Sequence, residues 1–290
     1  MKQFMKKTLF PILIATSLFA VGCDEKKQPE NVLAPQTLND VADPVVAKIP
    51  ATKIKPAFAV FSSTSGMIHV LMKPVSGPAD FAYQNICPAG SQPFGIADIN
   101  FGGKLYCNNA STRSIQAMDL ASNAELYTWN WPADIRGTPI WNIGRWQSDK
   151  DVGLTAYDST KGVFHVFNSG DKNFVLSHSF EFGGTDNGTL PLVGDWDGQG
   201  TDSIGVYRTA MKQVFLRNAL DAGVADVSFG FGDVSLEADA LPTSVNVDKT
   251  AVIAMYSSNA ALVVFSPADN SPAQFLFGAP SESKQVIPVR

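Results

Sequence analysis

The stretch that decides the fold is LPLVGDWDGQGTDSIGVYR, residues 190–208. Its first apolar run ends in GDWDG, residues 194–198, where Asp and Gly are typical of a tight turn. A second apolar run, residues 204–207, follows a polar stretch and alternates with a period of two, which is the spacing of a β-strand. The stretch therefore predicts a strand–turn–strand unit.

Degraded copies of this unit recur on both sides of it at a near-constant spacing. When the copies are aligned on the residue that closes the second strand, Tyr207 matches Phe61, Cys107, Tyr157 and Tyr256. The successive intervals are 46, 50, 50 and 49 residues. Each unit has four short strand-like runs separated by turn-forming residues, and no stretch has the period of an amphipathic helix. In the best-preserved unit the predicted strands are residues 190–196, 203–208, 213–217 and 227–231.

Repeated four-stranded units of about 50 residues are typical of a β-propeller, because stacked blades bury faces that a single sheet would expose. We predict an all-β fold, a five-bladed β-propeller that spans residues 49–290. The segment KQVIPVR, residues 284–290, resembles the opening strand of a unit, and the unit around Phe61 lacks such a strand. We therefore expect the C-terminal strand to pair with the N-terminal blade and close the ring. A two-sheet sandwich is the alternative, but it does not explain the constant spacing.

The N-terminus predicts export. Three lysines precede a short apolar run and the small residues before Cys23, which is the pattern of a secretory signal. This boundary resembles a bacterial lipobox, although Ala20 stands where lipoproteins usually have Leu. The resemblance implies a signal peptide at residues 1–22 and acyl chains, palmitate among them, on Cys23. An ordinary cleavable signal followed by a chance cysteine is the alternative.

Residues 23–48 are rich in Lys, Glu, Gln, Asn and Pro, which predicts a flexible tether between the lipid and the domain. Asp24 resembles an inner-membrane retention signal, so it favours the inner membrane without deciding between the two membranes. We expect a location in the bacterial cell envelope, facing the periplasm or the cell exterior. The formal net charge of −5 disfavours nucleic-acid binding, so the acyl chains would provide the attachment to the membrane.

Two further cysteines, Cys87 and Cys107, are 20 residues apart in the chain. Because we expect export to an oxidising space, a disulfide between them is the favoured interpretation. Two buried thiols in strands are the alternative.

The unit at residues 190–208, with VFLRN at 214–218 and ADVSFGFGD at 225–233, resembles the FG-GAP or VCBS-type propeller repeats of bacterial exported proteins. In that family the aspartate loop often binds calcium, since closely spaced carboxylates in a Gly-rich turn supply oxygen ligands. The resemblance implies one weak calcium site with the ligands Asp195, Asp197, Thr201 (through its carbonyl) and Asp202. Gln199 replaces a further Asp of the family pattern, and a tight turn without calcium is the alternative.

Three tryptophans, Trp129, Trp131 and Trp141, lie in one short region of the chain. They form a possible binding surface, an aromatic platform for a sugar or a partner loop, because aromatic residues dominate binding hot spots. Packing between blades is the alternative. His69 and His165 occupy matching strands of units that are separated by one unit, so we expect structural histidines and not a shared metal site.

The sequence predicts a protein that is not an enzyme. Asp98, Asp195 and Asp248 come from equivalent loops, and a glycosidase needs two carboxylates about 5–9.5 Å apart, but nothing around these residues marks an acid–base pair. We find no nucleophile elbow and no phosphate-binding loop. The predicted function is a non-catalytic scaffold that binds a protein partner in the cell envelope. Glycan binding through the tryptophan-rich loops is the alternative, followed by a glycoside hydrolase.

Overall fold

Every regular element in the described part of the chain is a β-strand. A computed structural model describes residues 58–71, 79–98, 103–147, 151–169, 173–185, 188–231, 243–247, 250–256, 261–266, 271–276 and 284–290. These residues all belong to the unit Pro35–Arg290, one of the two units into which the chain divides. The predicted signal peptide, Cys23 and the tether lie outside the described residues. None of the described ranges contains a helix long and apolar enough to cross a membrane.

The strands form five four-stranded antiparallel sheets. In chain order they are β1 (Phe58–Ser62), β2 (Met67–Leu71), β3 (Phe81–Gln84), β4 (Gln92–Ala97), β5 (Lys104–Asn109), β6 (Ser114–Asp119), β7 (Glu125–Asn130), β8 (Ile140–Gly144), β9 (Gly153–Asp158), β10 (Val163–Ser169), β11 (Phe174–Glu181), β12 (Thr189–Gly194), β13 (Ser203–Arg208), β14 (Gln213–Arg217), β15 (Val227–Gly230), β16 (Thr243–Val247), β17 (Thr250–Tyr256), β18 (Ala261–Ser266), β19 (Ser271–Leu276) and β20 (Lys284–Ile287). The first sheet has the order β20-β1-β2-β3, and each of the other four consists of four consecutive strands.

The first strands of the sheets form a ring. Strands β20, β4, β8, β12 and β16 contact one another in that order, and β16 contacts β20 again. Val60 of β1 pairs with Val286 of β20, so the C-terminal strand supplies the first strand of the N-terminal sheet. The prediction of an all-β propeller is confirmed, and the predicted pairing of the C-terminal strand is present.

The predicted count of five blades needs a correction. Four sheets, those that start with β20, β4, β8 and β12, have described side-chain packing in their own strands. In the sheet β16–β19 the burial of only Thr243, Ser244 and Ile253 is described. The structure therefore supports four blades with described packing, and not the predicted five. The sequence of this unit also departs from the repeat, because residues 246–248 read NVD where the best-preserved unit has GDWDG.

The core lies between neighbouring sheets. Leu105 of β5 and Ile287 of β20 belong to one cluster, and Ile204 of β13 belongs to another with Tyr157 of β9. Middle strands such as β13 are buried on both faces because a sheet packs on each side of them. Burying one such aliphatic side chain completely stabilises the fold by about 1.5–3 kcal/mol.

The predicted disulfide between Cys87 and Cys107 is confirmed, with Cα atoms 5.7 Å apart. Cys107 is fully buried in β5, and Cys87 lies in the connection between β3 and β4. The bond therefore fastens the connection between the first two sheets to the middle of the second.

Candidate functional site

The aspartate turn between β12 and β13 is held together by its own carboxylates. Asp195 accepts hydrogen bonds from the backbone N–H groups of Gln199 (2.9 Å) and Gly200 (2.8 Å). Asp197 accepts a third from the N–H of Gln199 at 3.2 Å. The turn needs a left-handed backbone at Gly198, where φ is 73°. The pairing of β12 with β13 ends at Gly194 and Ser203, and the backbone N–H of Asp202 donates to the carbonyl of Arg145 outside the ladder.

The carboxylate of Asp195 is affected by burial and by its neighbour Asp197. Burial raises the pKa of Asp195 above its ordinary value, and the neighbouring Asp197 raises it further, although the N–H groups of Gly200 and Gln199 act in the opposite direction. A cation placed between the two carboxylates would favour their ionised forms. Both oxygens of Asp195 and Oδ1 of Asp197 accept N–H groups of the turn, and the predicted calcium site stays a prediction.

Asp202, the fourth predicted ligand, belongs to a buried ionic network. Its Oδ2 lies 2.9 Å from Arg290 Nε and accepts a hydrogen bond of 2.8 Å from the backbone N–H of Arg145. The backbone N–H of Asp202 in turn donates to the carbonyl of Arg145 at 2.7 Å. Asp202 therefore joins the aspartate turn to the third sheet and to the C-terminal strand.

Arg290 is the centre of this buried network, and the sequence did not point to it. Its Nη2 donates to the carbonyl of Val193 at 2.6 Å and to the hydroxyl of Ser244 at 2.8 Å. Its backbone N–H donates to the carbonyl of Ile96 at 2.8 Å. Val193 is in β12, Ser244 in β16 and Ile96 in β4, so one residue connects the first strands of three sheets. The sequence feature that could have indicated it is a positively charged residue at the end of the apolar run VIPV, residues 286–289.

A cleft of about 310 Å³ opens beside the aspartate turn, between the third and fourth sheets. Its lining residues are Trp146, His178, Asp197, Thr201, Asp202, Ser203, Asn218, Leu220 and Asp221. The lining contains three carboxylates and no Lys or Arg. Asp202 is paired with Arg290 and Asp221 with Arg217, so Asp197 contributes most of the remaining negative charge among the described residues.

A single arginine orders the loop that borders this cleft. Arg217 donates from Nη1 to the carbonyl of Val224 at 2.7 Å and from Nη2 to the carbonyl of Ala222 at 3.2 Å. Its Nε lies 2.7 Å from Asp221 Oδ1. The loop thereby presents Val224 to solvent with 84% of its surface exposed.

The structure corrects the interpretation of the tryptophans as a platform. Trp131 and Trp141 are buried in the core between the second and third sheets, with ring centroids 5.4 Å apart. Trp129 is partly buried and packs edge-on against Trp141 and Phe167. Trp131 and Trp141 therefore pack between blades, as the alternative interpretation holds. Of the three tryptophans, only Trp129 has a partly exposed ring.

The structure does not show the three aspartates that we considered as glycosidase carboxylates, Asp98, Asp195 and Asp248, in one site. Asp98 forms an ion pair with Lys104 at 3.5 Å, and its N–H donates to the carbonyl of Arg290 at 3.1 Å. Asp195 belongs to the turn already described, and Asp248 lies outside the described residues. Within the described ranges no group of three or more His, Cys, Asp or Glu side chains is placed to hold a metal ion.

The histidines lie in separate surroundings. His69 is buried in β2, whereas His165 of β10 makes a hydrogen bond of 2.9 Å with the hydroxyl of Ser179. Burial lowers the pKa of His165 below its ordinary value. His178 of β11 makes a hydrogen bond of 2.7 Å with the hydroxyl of Ser177 and reaches the cleft.

No known protein-family model matches the sequence, and no curated protein sequence is significantly similar to it. The structure is similar to that of a protein of unknown function from Bacteroides caccae (TM-score 0.43, 13% identity, 76% of this chain and 72% of that chain). It is also similar to the glutaminyl cyclase of Myxococcus xanthus, with a TM-score of 0.39 and 11% identity over 68% of this chain and 71% of that chain. A third similar structure is the calcium-binding protein regucalcin of Agrobacterium tumefaciens, with a TM-score of 0.40 and 13% identity over 81% of this chain and 78% of that chain. Similarities this low carry no information about function. The sheet topology itself defines the chain as a β-propeller protein, and the resemblance to FG-GAP or VCBS-type repeats stays a prediction.

Proposed function

We propose that this protein is a lipid-anchored, non-catalytic scaffold that binds a protein partner in the bacterial cell envelope. The observation that supports the proposal is the position of the large apolar side chains that are exposed among the described residues. Five of them lie on outer strands or in the loop next to one, and Met211 lies in the turn between β13 and β14: Leu126, Val175, Leu176, Met211, Val224 and Val227. Exposed apolar groups mark surfaces that contact other proteins when they are grouped, as Val175 with Leu176 and Val224 with Val227 are in the chain.

The closed ring supports the same proposal. Strand β20 and the buried Arg290 hold the first strands together, so the frame can present its outer strands and loops without reorganising. A frame that is ordered before binding loses less conformational entropy when the partner binds. The predicted acyl chains on Cys23 would keep this frame at a membrane surface.

The test is photo-crosslinking in intact cells that naturally produce the protein. A photo-reactive amino acid replaces Leu126, Val175, Met211 or Val224 in turn, and the exposed Ser111, in the turn between β5 and β6, serves as a polar control position. We expect one defined envelope protein to be captured from at least one of the apolar positions and not from Ser111. Absence of any adduct from all four positions would rule out the scaffold. In parallel, Cys23→Ala should release the protein from the membrane fraction.

Glycan binding is the second candidate, and only the partly exposed ring of Trp129 favours it. Tyr127 lies two residues before Trp129 in β7, and both rings pack against Phe174. Saturable binding to a glycan array that is lost in Trp129→Ala would support this function. Trp141→Ala is a poor probe because Trp141 is buried and its loss would disturb the core.

A further inference from the structure

The outer strand of the third sheet is unusually long. The outer strands β3, β7, β15 and β19 have 4, 6, 4 and 6 residues, whereas β11 has 8. The open edge of a sheet can pair with another chain, and proteins commonly prevent this with short strands, Lys or Pro. Strand β19 contains Pro272, but β11, with the sequence FVLSHSFE, contains neither Pro nor Lys. Apart from a register shift at Ser177 and the charge of Glu181, its edge carries none of these protections.

The side chains of β11 suit contact with another chain. Val175 and Leu176 are 58% and 41% exposed. The pairing with β10 shifts register at Ser177, which divides the open edge into residues 174–176 and 178–181. Each part offers backbone N–H and C=O groups on the side away from β10.

The acidic cleft lies beside this edge. His178 belongs to β11 and also lines the cleft, together with Asp197 and Asp221. An extended segment paired with β11 would pass the cleft at His178. Asp202 and Asp221 are paired with arginines, but the Asp197 carboxylate is not paired with one in the described structure, so a positively charged side chain fits there best. A second copy of this chain is a poorer occupant, since its formal net charge is −5.

We propose that the open edge of β11 binds an extended segment of a protein partner, and that a Lys or Arg side chain of this segment enters the adjacent cleft. Main-chain hydrogen bonds to the edge would supply affinity, and the cleft would select the basic residue. Val175 and Leu176 would contact apolar side chains of the same segment. This inference rests on the proposed scaffold function and specifies the binding surface.

The first part of the test uses the full chain in intact cells. A photo-reactive amino acid at Val175 is compared with one at Met211, which is similarly exposed but lies in the turn between β13 and β14. We expect an adduct from position 175 and not from position 211, and mass spectrometry should map it to a segment that contains Lys or Arg next to the crosslinked residue. An adduct from other positions but not from 175 would overturn this inference and leave the scaffold function standing. An adduct that maps to a second copy of the chain would also overturn it.

The second part uses the mapped segment as a synthetic peptide. Asp197→Asn keeps an oxygen that can accept the N–H of Gln199 and removes the charge, so the peptide should bind about two- to fivefold more weakly. Val175→Lys should weaken binding by repelling the basic peptide, whereas Met211→Lys, with the same change in net charge, should not. Unchanged affinity in both Asp197→Asn and Val175→Lys would overturn the proposal.

Discussion

Arg290 Nε lies 2.9 Å from Asp202 Oδ2, and the two side chains are only 0% and 3% exposed. Removing two charges from water is unfavourable, and a buried pair is stable only if further hydrogen bonds satisfy both groups. The N–H of Arg145 supplies such a bond to Asp202, and the Val193 carbonyl and Ser244 hydroxyl accept from Arg290. The pair therefore links the aspartate turn to the closure of the ring.

Loss of Arg290 should destabilise the protein strongly. In Arg290→Met the carboxylate of Asp202 remains buried without its partner, and we expect a loss of about 3–5 kcal/mol in the free energy of unfolding. Urea denaturation measures this change. Asp202→Asn should have a similar effect, and the double variant should lose less than the sum of the two single losses because the residues are coupled.

The matched control is Lys104→Met, which breaks the exposed pair between Lys104 and Asp98. Surface pairs contribute little, so the change should be below about 1 kcal/mol. Equal effects of Arg290→Met and Lys104→Met would show that the buried pair does not hold the ring together.

Removing the disulfide should also lower stability. The bond joins residues separated by 20 positions, and a loop of this size predicts a contribution of about 3 kcal/mol. We expect a lower urea midpoint for the double variant Cys87→Ala/Cys107→Ala, and a similar shift on reduction of the parent, which leaves side-chain packing unchanged. In a Cys23→Ala background, a thiol assay on unfolded, unreduced protein should detect no free thiol. Two free thiols would contradict the bond.

The raised pKa of Asp195 predicts a specific dependence on pH. Burial disfavours the ionised carboxylate in the folded protein, so the unfolded chain binds fewer protons at this site than the folded one. The contribution of Asp195 to stability is therefore greatest at low pH and is lost as the pH rises from its ordinary pKa of 3.8 through its raised value. In urea unfolding, the difference between the parent and Asp195→Asn should shift in favour of the parent as the pH falls from neutrality. A constant difference would contradict the shift.

Calcium would act on the same group in the opposite direction, because it binds the ionised carboxylate. If the predicted site exists, calcium at ten times its Kd should stabilise the protein by about 1.4 kcal/mol and raise the Tm. Asp195→Ala should abolish the response, and the effect should weaken at low pH. An unchanged Tm in millimolar calcium would show that the aspartate turn does not bind calcium in this concentration range.

Gly162 should not tolerate a side chain. Its φ is 68°, and an added Cβ would lie 2.4 Å from the carbonyl oxygen of Gly184. Gly137 has a similar φ of 71° but no atom within 4 Å of an added Cβ. Gly137→Ala should therefore lower the free energy of unfolding by about 1–2 kcal/mol, the cost of a left-handed backbone at a residue with a Cβ, and Gly162→Ala should lower it by more. Thermal unfolding of the two variants distinguishes backbone strain, which both share, from the steric clash with Gly184, which only Gly162→Ala has. Equal losses of stability would show that Gly184 moves away freely.

Local patterns predicted the strands well. Residues 203–208 and 213–217 are strands with the predicted bounds because their period of two is unbroken. The strand predicted at 190–196 ends at Gly194 instead, because the backbone N–H of Asp202 on the other side of the turn donates to Arg145 and not to the β12 ladder. Gly66 and Gly162, which the repeat alignment places together, both have positive φ.

Interactions between distant residues could not be predicted in this way. The pairing of Arg290 with Asp202 depends on how the ring closes, and no spacing in the sequence connects the two residues. The tryptophans show the same limit. Composition cannot distinguish a surface platform from a core, and only the packing of the second sheet against the third buries Trp131 and Trp141.

The pairing of Val60 with Val286 has a consequence for how the protein folds. Strand β1 emerges early during synthesis, but its neighbour β20 emerges after every other strand. Contacts between residues so far apart in the chain raise the contact order and slow folding. Until the last strand arrives, the first sheet has an unpaired edge that can associate with other chains, so a nascent or exported chain would benefit from a chaperone that covers it.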